Sequence, residues 1–573
     1  MRHVIRRFPR LWRTSRLLRR WYHARWNAYP EWDEILERGK DVWEAAQTHS
    51  ASGQRVLLST AIGSYAHAVT LESALATALR LRGAEPHVLL CDSALSACAE
   101  CDVSLYPRLE RFVENGPLGD LCNNCYTPAL RVYAALGLRI HRISALVTND
   151  QRQLATNIAR SIPFEEIPSY QYDGLNVGEH AYAGALRFFA TGSLEREPKA
   201  EAILRRYLHA ALVTMFATRQ LVRDHQFTCA VFTHGIYVPW GIMGEVCRQE
   251  HVRIANWNVA YRKRRFIFSH GDTYHHTLMS EPKSEWENLD LTKTRERKLL
   301  EYLESRREGL FDWIVFHRPS ASTPSKQLAE AVGIDPNRPV IGLLTNVSWD
   351  AQLHYPANAF PDMLDWLTQT CEYFAGRQDL QLLIRVHPAE ISGFPLSRQP
   401  VLAELARRLP SLAANIIVVP PESTLSTYGL MSLCNAAIIY GTKMGVELTS
   451  VGLPVIVAGE AWVRNKGVTH DASNSEEYFN MLDRLPFERP VDGDRVQRAK
   501  RYAYHFFFRR MLPLGFVKPR AGYPIFVLSL EQLEDLLPGA TPGLDVICDG
   551  ILRASPFTCD EVKTPQVSTT ASI

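Results

Sequence analysis

Between Leu380 and Gly467, three short apolar runs rich in β-branched residues each stop at a polar motif, and this constrains the fold more than any other feature of the chain. LQLLI ends in Arg385, His387 and Pro388. NIIVV ends in Pro421, Glu422, Ser423, Ser426 and Thr427. NAAII ends in Gly441, Thr442, Lys443 and Gly445, followed by Glu447, and the run LPVIV then leads to Gly459 and Glu460. Apolar runs of this length without alternation read as strands buried on both faces, which occur in parallel sheets covered by helices. Their polar punctuation then falls at strand carboxyl ends, the edge at which open α/β sheets bind ligands.

The same pattern appears earlier in the chain. GQRVLLSTAIGSYAHAVTLESALATALRLRGAEPHVLLCD reads as a strand Arg55–Thr60, a turn at Gly63 and Ser64, a helix from about Val69 to Leu81 and a strand Pro86–Cys91. A strand, helix and strand in this order need a parallel crossover. At 573 residues the chain is too long for one core. We expect a basic arm and helix over 1–50 and an N-terminal α/β domain over 51–282. A connection over 283–337 leads to a C-terminal α/β domain over 338–490, then to helices over 491–562 that cross back, with a flexible tail over 563–573.

Charge and cysteine are distributed unevenly. The first 30 residues hold nine arginines and no acid, interleaved with Trp12, Trp21, Trp26 and leucines. Such a segment suits the headgroup layer of an anionic membrane, although a solvated basic tail has the same composition. No apolar stretch is long enough to span a bilayer, and no signal-peptide core is present, so a cytoplasmic protein, peripheral on the inner face of the plasma membrane, is expected. Cys98 and Cys101, then twenty residues, then Cys122 and Cys125 match the spacing of a structural four-thiolate zinc site, with Cys91 just upstream; buried thiols are the alternative.

For chemistry, His387 is placed at a sheet edge by the proline after it and can donate to a phosphate oxygen, with Arg385 on the same strand adding charge. The segment from Gly441 to Glu447 lets backbone approach a phosphate, with the hydroxyl of Thr442 and the amine of Lys443 at hand. Ser423, Ser426 and Thr427 suit either phosphate contact or helix capping. Glu460 lies in a loop able to close over a ligand. In the N-terminal half, His234 in Phe232-Thr233-His234-Gly235 and the cluster from Ser269 to His276, foremost His270 and Asp272, are the candidates for acid–base work. A metal site in that cluster is a second reading.

Arg385-Val386-His387-Pro388, Pro421-Glu422-Ser423 with Ser426-Thr427, and Tyr440-Gly441-Thr442-Lys443 with Gly445 and Glu447-Leu448 resemble the bacterial capsule polysaccharide biosynthesis family over roughly Arg338 to Leu485. A weaker match covers Phe232 to Gly235 and Phe268 to Asp272. That family is similar to GT-B glycosyltransferases using cytidine-nucleotide donors, including Kdo and sialic acid transferases. The resemblance implies two facing Rossmann-like domains, catalysis without a metal cofactor, donor-phosphate contacts from His387, Ser426 and Thr442, and ribose binding by Glu447. The basic arm and the cysteine-rich insert have no counterpart in the family pattern. The expected activity is transfer of a sugar from a nucleotide-sugar, CMP-linked by resemblance, onto a surface polysaccharide or lipid-linked acceptor, with no nucleic-acid partner. A sugar-nucleotide epimerase of the same shape and a non-catalytic capsule assembly or export factor are the competing expectations.

Overall fold

The computed structural model describes residues 9–25, 29–309, 311–313, 324–350, 358–393, 395–487 and 492–560. The tail expected over 563–573 lies outside them. Two sheets carry the fold. The N-terminal sheet contains β1 (Arg55–Ala61), β2 (Glu85–Leu90), β3 (Arg139–Arg142), β4 (Cys229–Thr233), β5 (Arg253–Val259) and β6 (Arg265–His270). The C-terminal sheet contains β7 (Val340–Leu344), β8 (Gln381–Arg385), β9 (Ile416–Val419), β10 (Ala436–Ile439), β11 (Val455–Val457) and β12 (His470–Asp471).

The C-terminal strands are ordered β12-β11-β10-β7-β8-β9, all parallel. Strand order therefore reverses between β7 and β10, and a crevice opens there at the carboxyl ends. The N-terminal sheet has the corresponding order β6-β5-β4-β1-β2-β3, with its reversal between β1 and β4. Its first five strands in sequence are parallel, but β6 runs antiparallel to β5, placing His270 opposite Ala255 and Phe266 opposite Val259.

Alternate strand residues feed separate cores, which is why the runs lack polar alternation. In β1, Leu57 joins one apolar cluster while Val56 and Leu58 join another. In β7, Ile341 and Leu343 face one helical layer and Val340 and Leu344 the other. The Ala- and Leu-rich helix Ala66–Arg80 is buried along nearly its whole length between β1 and the hairpin of β14 (Val517–Pro519) and β15 (Phe526–Leu528).

The chain returns to the first sheet at its end. The helix Gly493–Tyr504 continues into a π-helical turn, His505–Arg509, where the sequence reads as one long α-helix. β13 (Leu512–Pro513) then pairs with the outer edge of β6. Phe507 and Phe508 pack on Tyr302 of the connecting helix Lys293–Glu308, with ring centroids 5.1 and 5.7 Å apart.

Within the basic arm, Pro9–Arg25 forms a helix packed against Gly119–Ala135, the helix that carries Cys122 and Cys125. Among the described residues, no helix is long and apolar enough to cross a membrane.

The four-thiolate zinc site expected from spacing is not assembled. Among the described residues, no group of three or more His, Cys, Asp or Glu side chains is placed to hold a metal. The thiols have other partners: the hydroxyl of Tyr106 approaches Cys101 Sγ (3.9 Å), and the Ser64 N–H donates to Cys125 Sγ (3.3 Å). Burial, with the neighbouring thiols, raises Cys122 and Cys125 to about 12.

Candidate active site

Both points of strand reversal open onto one cavity of about 560 Å³, within the range that encloses a small ligand. From the C-terminal sheet, Thr345 and Asn346 after β7, His387 after β8 and Gly441, Thr442 and Lys443 after β10 line it, together with Arg385 and Thr427. From the N-terminal half come His67, His234, Tyr261 and His275. Arg306 and Asp312 of the interdomain connection complete the wall.

The loops after β7 brace their neighbours. The His387 N–H donates to Thr345 Oγ1 (3.0 Å), and the Gly441 N–H donates to Asn346 Oδ1 (3.4 Å). The Ala389 N–H donates to His387 Nδ1 (3.0 Å), which assigns the imidazole proton to Nε2. Burial, reinforced by the Lys443 and Arg385 charges, lowers His387 to about 4, so the ring is neutral and acts as a hydrogen-bond donor. Arg385 donates to the carbonyls of Pro420 and Ser423, and burial lowers its pKa. These carbonyls hold the guanidinium beside His387, and the charge of the Glu422 carboxylate works against the lowering by burial.

Lys443 and Arg306 differ in being tied to acids. Glu447 accepts from Lys443 Nζ (2.6 Å), Arg306 Nε (3.1 Å) and the hydroxyl of Tyr428 (2.7 Å), while Arg306 also pairs with Asp312. Burial alone would raise the Glu447 carboxyl, but the Arg306 and Lys443 charges hold it at about 2. Glu447 is therefore the counter-ion behind the cavity wall, and not a group on its surface as the resemblance implied.

On the opposite wall, the loop after β4 is held in an unusual conformation. His234, Gly235 and Tyr237 all have positive φ, at 68°, 75° and 66°. Left-handed backbone at two non-glycine residues in one loop is strain of the kind that accumulates at functional sites. The His234 N–H is fixed by the Trp257 carbonyl (3.0 Å), and a Cβ on Gly235 would come within 2.9 Å of Asn256 Nδ2. Burial lowers His234 to about 4, against the opposing pull of Asp350. Tyr237 donates its hydroxyl to Asp350 Oδ1 (2.9 Å), so a carboxylate from the C-terminal half meets the His234 loop. His275 lies against Trp462 with ring centroids 5.4 Å apart and planes tilted by 36°, and burial with the nearby His234 pushes its pKa down.

Several expected residues lie elsewhere. His270 is level with the start of β5 because β6 is antiparallel. Its Nε2 meets the Ser555 carbonyl (2.8 Å) and its ring stacks on Phe557 (4.2 Å), away from the cavity. Asp272 pairs with His276 Nδ1 (3.0 Å) and also stays outside. Ser426 caps the helix Thr427–Ser432 through the Gly429 N–H (3.4 Å), and Ser423 Oγ accepts from the Leu425 N–H (3.3 Å), so both serve local structure. Gly445 is a packing glycine: a Cβ there would come within 2.7 Å of Ile439 and Val463. Glu460 does not border the cavity, and its N–H donates to Asn358 Oδ1 (3.0 Å).

Conversely, sequence reasoning passed over Asn346, Asp350, Arg306 and Asp312, and singled out His270 instead of His275. Asn346 and Asp350 follow β7, the first strand of its sheet, so assigning strand order would have flagged them. Arg306 gives no such signal, since it sits in a charged helix that reads as solvent-exposed.

No family model matches the chain, and no curated protein matches it. Among solved structures, the chain is similar to the Thermosulfurimonas dismutans KpsC beta Kdo 2,4 transferase, at 12% identity over 48% of this chain and 79% of that one (TM-score 0.33). It is similar to the beta Kdo 2,7 transferase of KpsC from the same organism, at 12% identity over 56% and 88% (TM-score 0.29). It is also similar to UDP-GlcNAc 2-epimerase from Neisseria meningitidis bound to UDP-GlcNAc, at 12% identity over 78% and 95% (TM-score 0.23).

Proposed function

We propose that the chain is a glycosyltransferase of the GT-B type that moves a sugar from a nucleotide-sugar donor onto a surface polysaccharide or lipid-linked acceptor. One observation carries the reading: the loops at both strand reversals open into a single cavity, with the Arg385 guanidinium and the neutral His387 ring on one wall and the neutral His234, in its positive-φ loop, on the other. The donor phosphate belongs beside Arg385, His387 Nε2–H and the Thr442 hydroxyl. Lys443 and Arg306 are already bonded to acids, so Arg385, whose direct bonds go to carbonyls, is the cation offered to the phosphate. This suits a phosphodiester of a CMP-sugar better than a pyrophosphate.

In the reaction, an acceptor hydroxyl attacks the anomeric carbon as its bond to the phosphate oxygen breaks. The proton of that hydroxyl passes to His234 or Asp350. The charge developing on the departing phosphate is taken up by Arg385 and by the His387 donor, which are in place before the reaction. The chain's own cations perform this role, so turnover is expected to persist in a chelator.

The test is a thermal-shift screen with CMP, CDP, UDP and GDP, followed by donor turnover in His387→Ala. A rise in Tm with CMP and a loss of turnover of at least about a hundredfold with the fold intact are expected. Unchanged turnover in the variant, or conversion of donor alone into an isomer, overturns the reading.

A further inference from the structure

The helix Pro9–Arg25 anchors itself through a buried arginine and leaves an apolar face exposed. A helix docked on a globular domain normally turns apolar residues inward and charge outward. Here the buried Arg16, 6% exposed, faces inward beside the partly buried Leu17, and its Nη1 bonds both Asp102 carboxylate oxygens (2.8 Å each) and Ser104 Oγ (2.5 Å). The outward residues are Leu18, Trp21 and Tyr22, 60%, 41% and 48% exposed, at the i, i+3, i+4 spacing that puts them on one helical face. Arg19 is exposed beside them, and the first 30 residues supply nine arginines and no acid.

We propose that this face is a docking surface for an anionic lipid bilayer. Leucine, tryptophan and tyrosine fill the interfacial layer, while arginines meet phosphate headgroups and extend apolar stems between them. The Arg16–Asp102 pair fixes the helix to the folded domain, so the outward face has a defined orientation. Asp102 lies in the segment that leaves the carboxyl end of β2, and Tyr29, just beyond the helix, donates its hydroxyl to the Gly63 carbonyl (2.9 Å) in the turn after β1. The helix is thus mounted at the edge of the N-terminal sheet from which the cavity opens. A bilayer held there keeps a membrane-anchored substrate within reach.

The test uses the full chain and sedimentation with phosphatidylcholine vesicles, with or without an equal part of phosphatidylglycerol. Expected results are binding to the mixed vesicles, at least about tenfold weaker binding to neutral ones, and weakening with salt. Leu18→Ser combined with Trp21→Ser should reduce binding about tenfold in protein that remains folded, and Arg19→Glu should reduce it severalfold. Three results would overturn the proposal: no binding to the mixed vesicles, equal binding by the double variant, or tighter binding of single-stranded polyuridine that displaces vesicles. The vesicle assay needs no donor or turnover, so its failure is separable from failure of the transferase reading.

Discussion

Phe232-Thr233-His234-Gly235 and Phe268-Ser269-His270-Gly271 are nearly the same four residues, and each closes a buried strand of the same sheet. Their histidines nevertheless finish at opposite edges. β4 is parallel to its neighbours, so His234 emerges where the cavity opens. β6 is antiparallel, so His270 emerges at the far edge, level with the start of β5 and bonded to Ser555. A strand-end motif thus carries chemistry only when the direction of its strand is known. Local sequence does not encode that direction, which depends here on a short five-residue connection between β5 and β6.

The strongest way to break this contrast is to replace each histidine in turn. His234→Ala is expected to lower kcat by about a hundredfold to ten-thousandfold, the range for removing a positioned proton acceptor. His270→Ala should leave kcat within about twofold, because neither Ser555 nor Phe557 borders the cavity. His234 is held at about 4 by burial, so it stays neutral through the neutral range, and the acid limb of kcat/KM should fall only near that value. Equal loss in both variants, read by donor turnover, would abolish the distinction between the two edges.

The contrast also explains what could be read from sequence. The parallel βα units were legible because their strands are uninterrupted apolar runs: Arg55–Thr60 and Pro86–Cys91 fall within one residue of β1 and β2. The loops bearing His387 and Thr442 were legible for the same reason. Residues whose position depends on long-range packing were not. Glu447 looks like a surface ligand group in its motif, yet Lys443 of the same motif and Arg306 and Tyr428 from other segments surround it. Ser426 carries a hydroxyl in the right loop but uses it on its own helix. The cysteine pairs have zinc spacing, but the turn of Cys98 and Cys101 and the helix of Cys122 and Cys125 bring thiols near one another without a common centre.

A titrating group on the helix Ala66–Arg80, packed against the same sheet, sharpens the comparison by separating stability from turnover. Glu72 is fully buried, accepting from Trp257 Nε1 (2.8 Å) on β5 and from the Thr60 hydroxyl on β1, which also meets the Tyr133 hydroxyl (2.6 Å). Burial raises its carboxyl to about 7 despite these bonds. A folded-state value above the unfolded one means that the stability contribution is complete below the unfolded value and is lost as pH rises through about 7. The loss amounts to roughly 3 kcal/mol by pH 8. Glu72→Gln can keep the Trp257 bond and donate to Thr60, so its unfolding free energy should stay flat where that of the parent falls. Denaturant titrations at pH 5 and 8 measure this. A parent that is equally stable at both would show that Glu72 is not held neutral beneath the sheet.

His270→Ala itself should show a smaller effect, on stability instead of rate. Removing the bond to the Ser555 carbonyl and the stacking on Phe557 is expected to cost about 1–2 kcal/mol. Because the Ser555–Phe557 segment packs on this ring, the loss should appear as loosening of the chain end, measurable as faster amide exchange after Arg553. A rate effect without that loosening would place His270 in the chemistry after all.

Asp272 carries the least expected effect and the finest test. Its carboxylate bonds His276 Nδ1 (3.0 Å) and faces Arg248 at 3.6 Å, with 41% of the side chain exposed, so solvent screens both partners. Asp272→Asn should lower stability by less than about 1 kcal/mol. Burial would raise the Asp272 carboxyl, but the His276 hydrogen bond and nearby charges hold it below its usual value, so its contribution is present near neutral pH and disappears as pH falls through the folded value. The gap between parent and variant should therefore close in acid. His275 and His276 are neighbours on one short helix, about 100° apart around its axis. The first lines the cavity and the second pairs with Asp272. If Asp272→Asn nevertheless lowered turnover more than tenfold, the far edge would be acting on the cavity through that helix. The boundary between the two edges would then lie between His275 and His276 rather than at the strand itself.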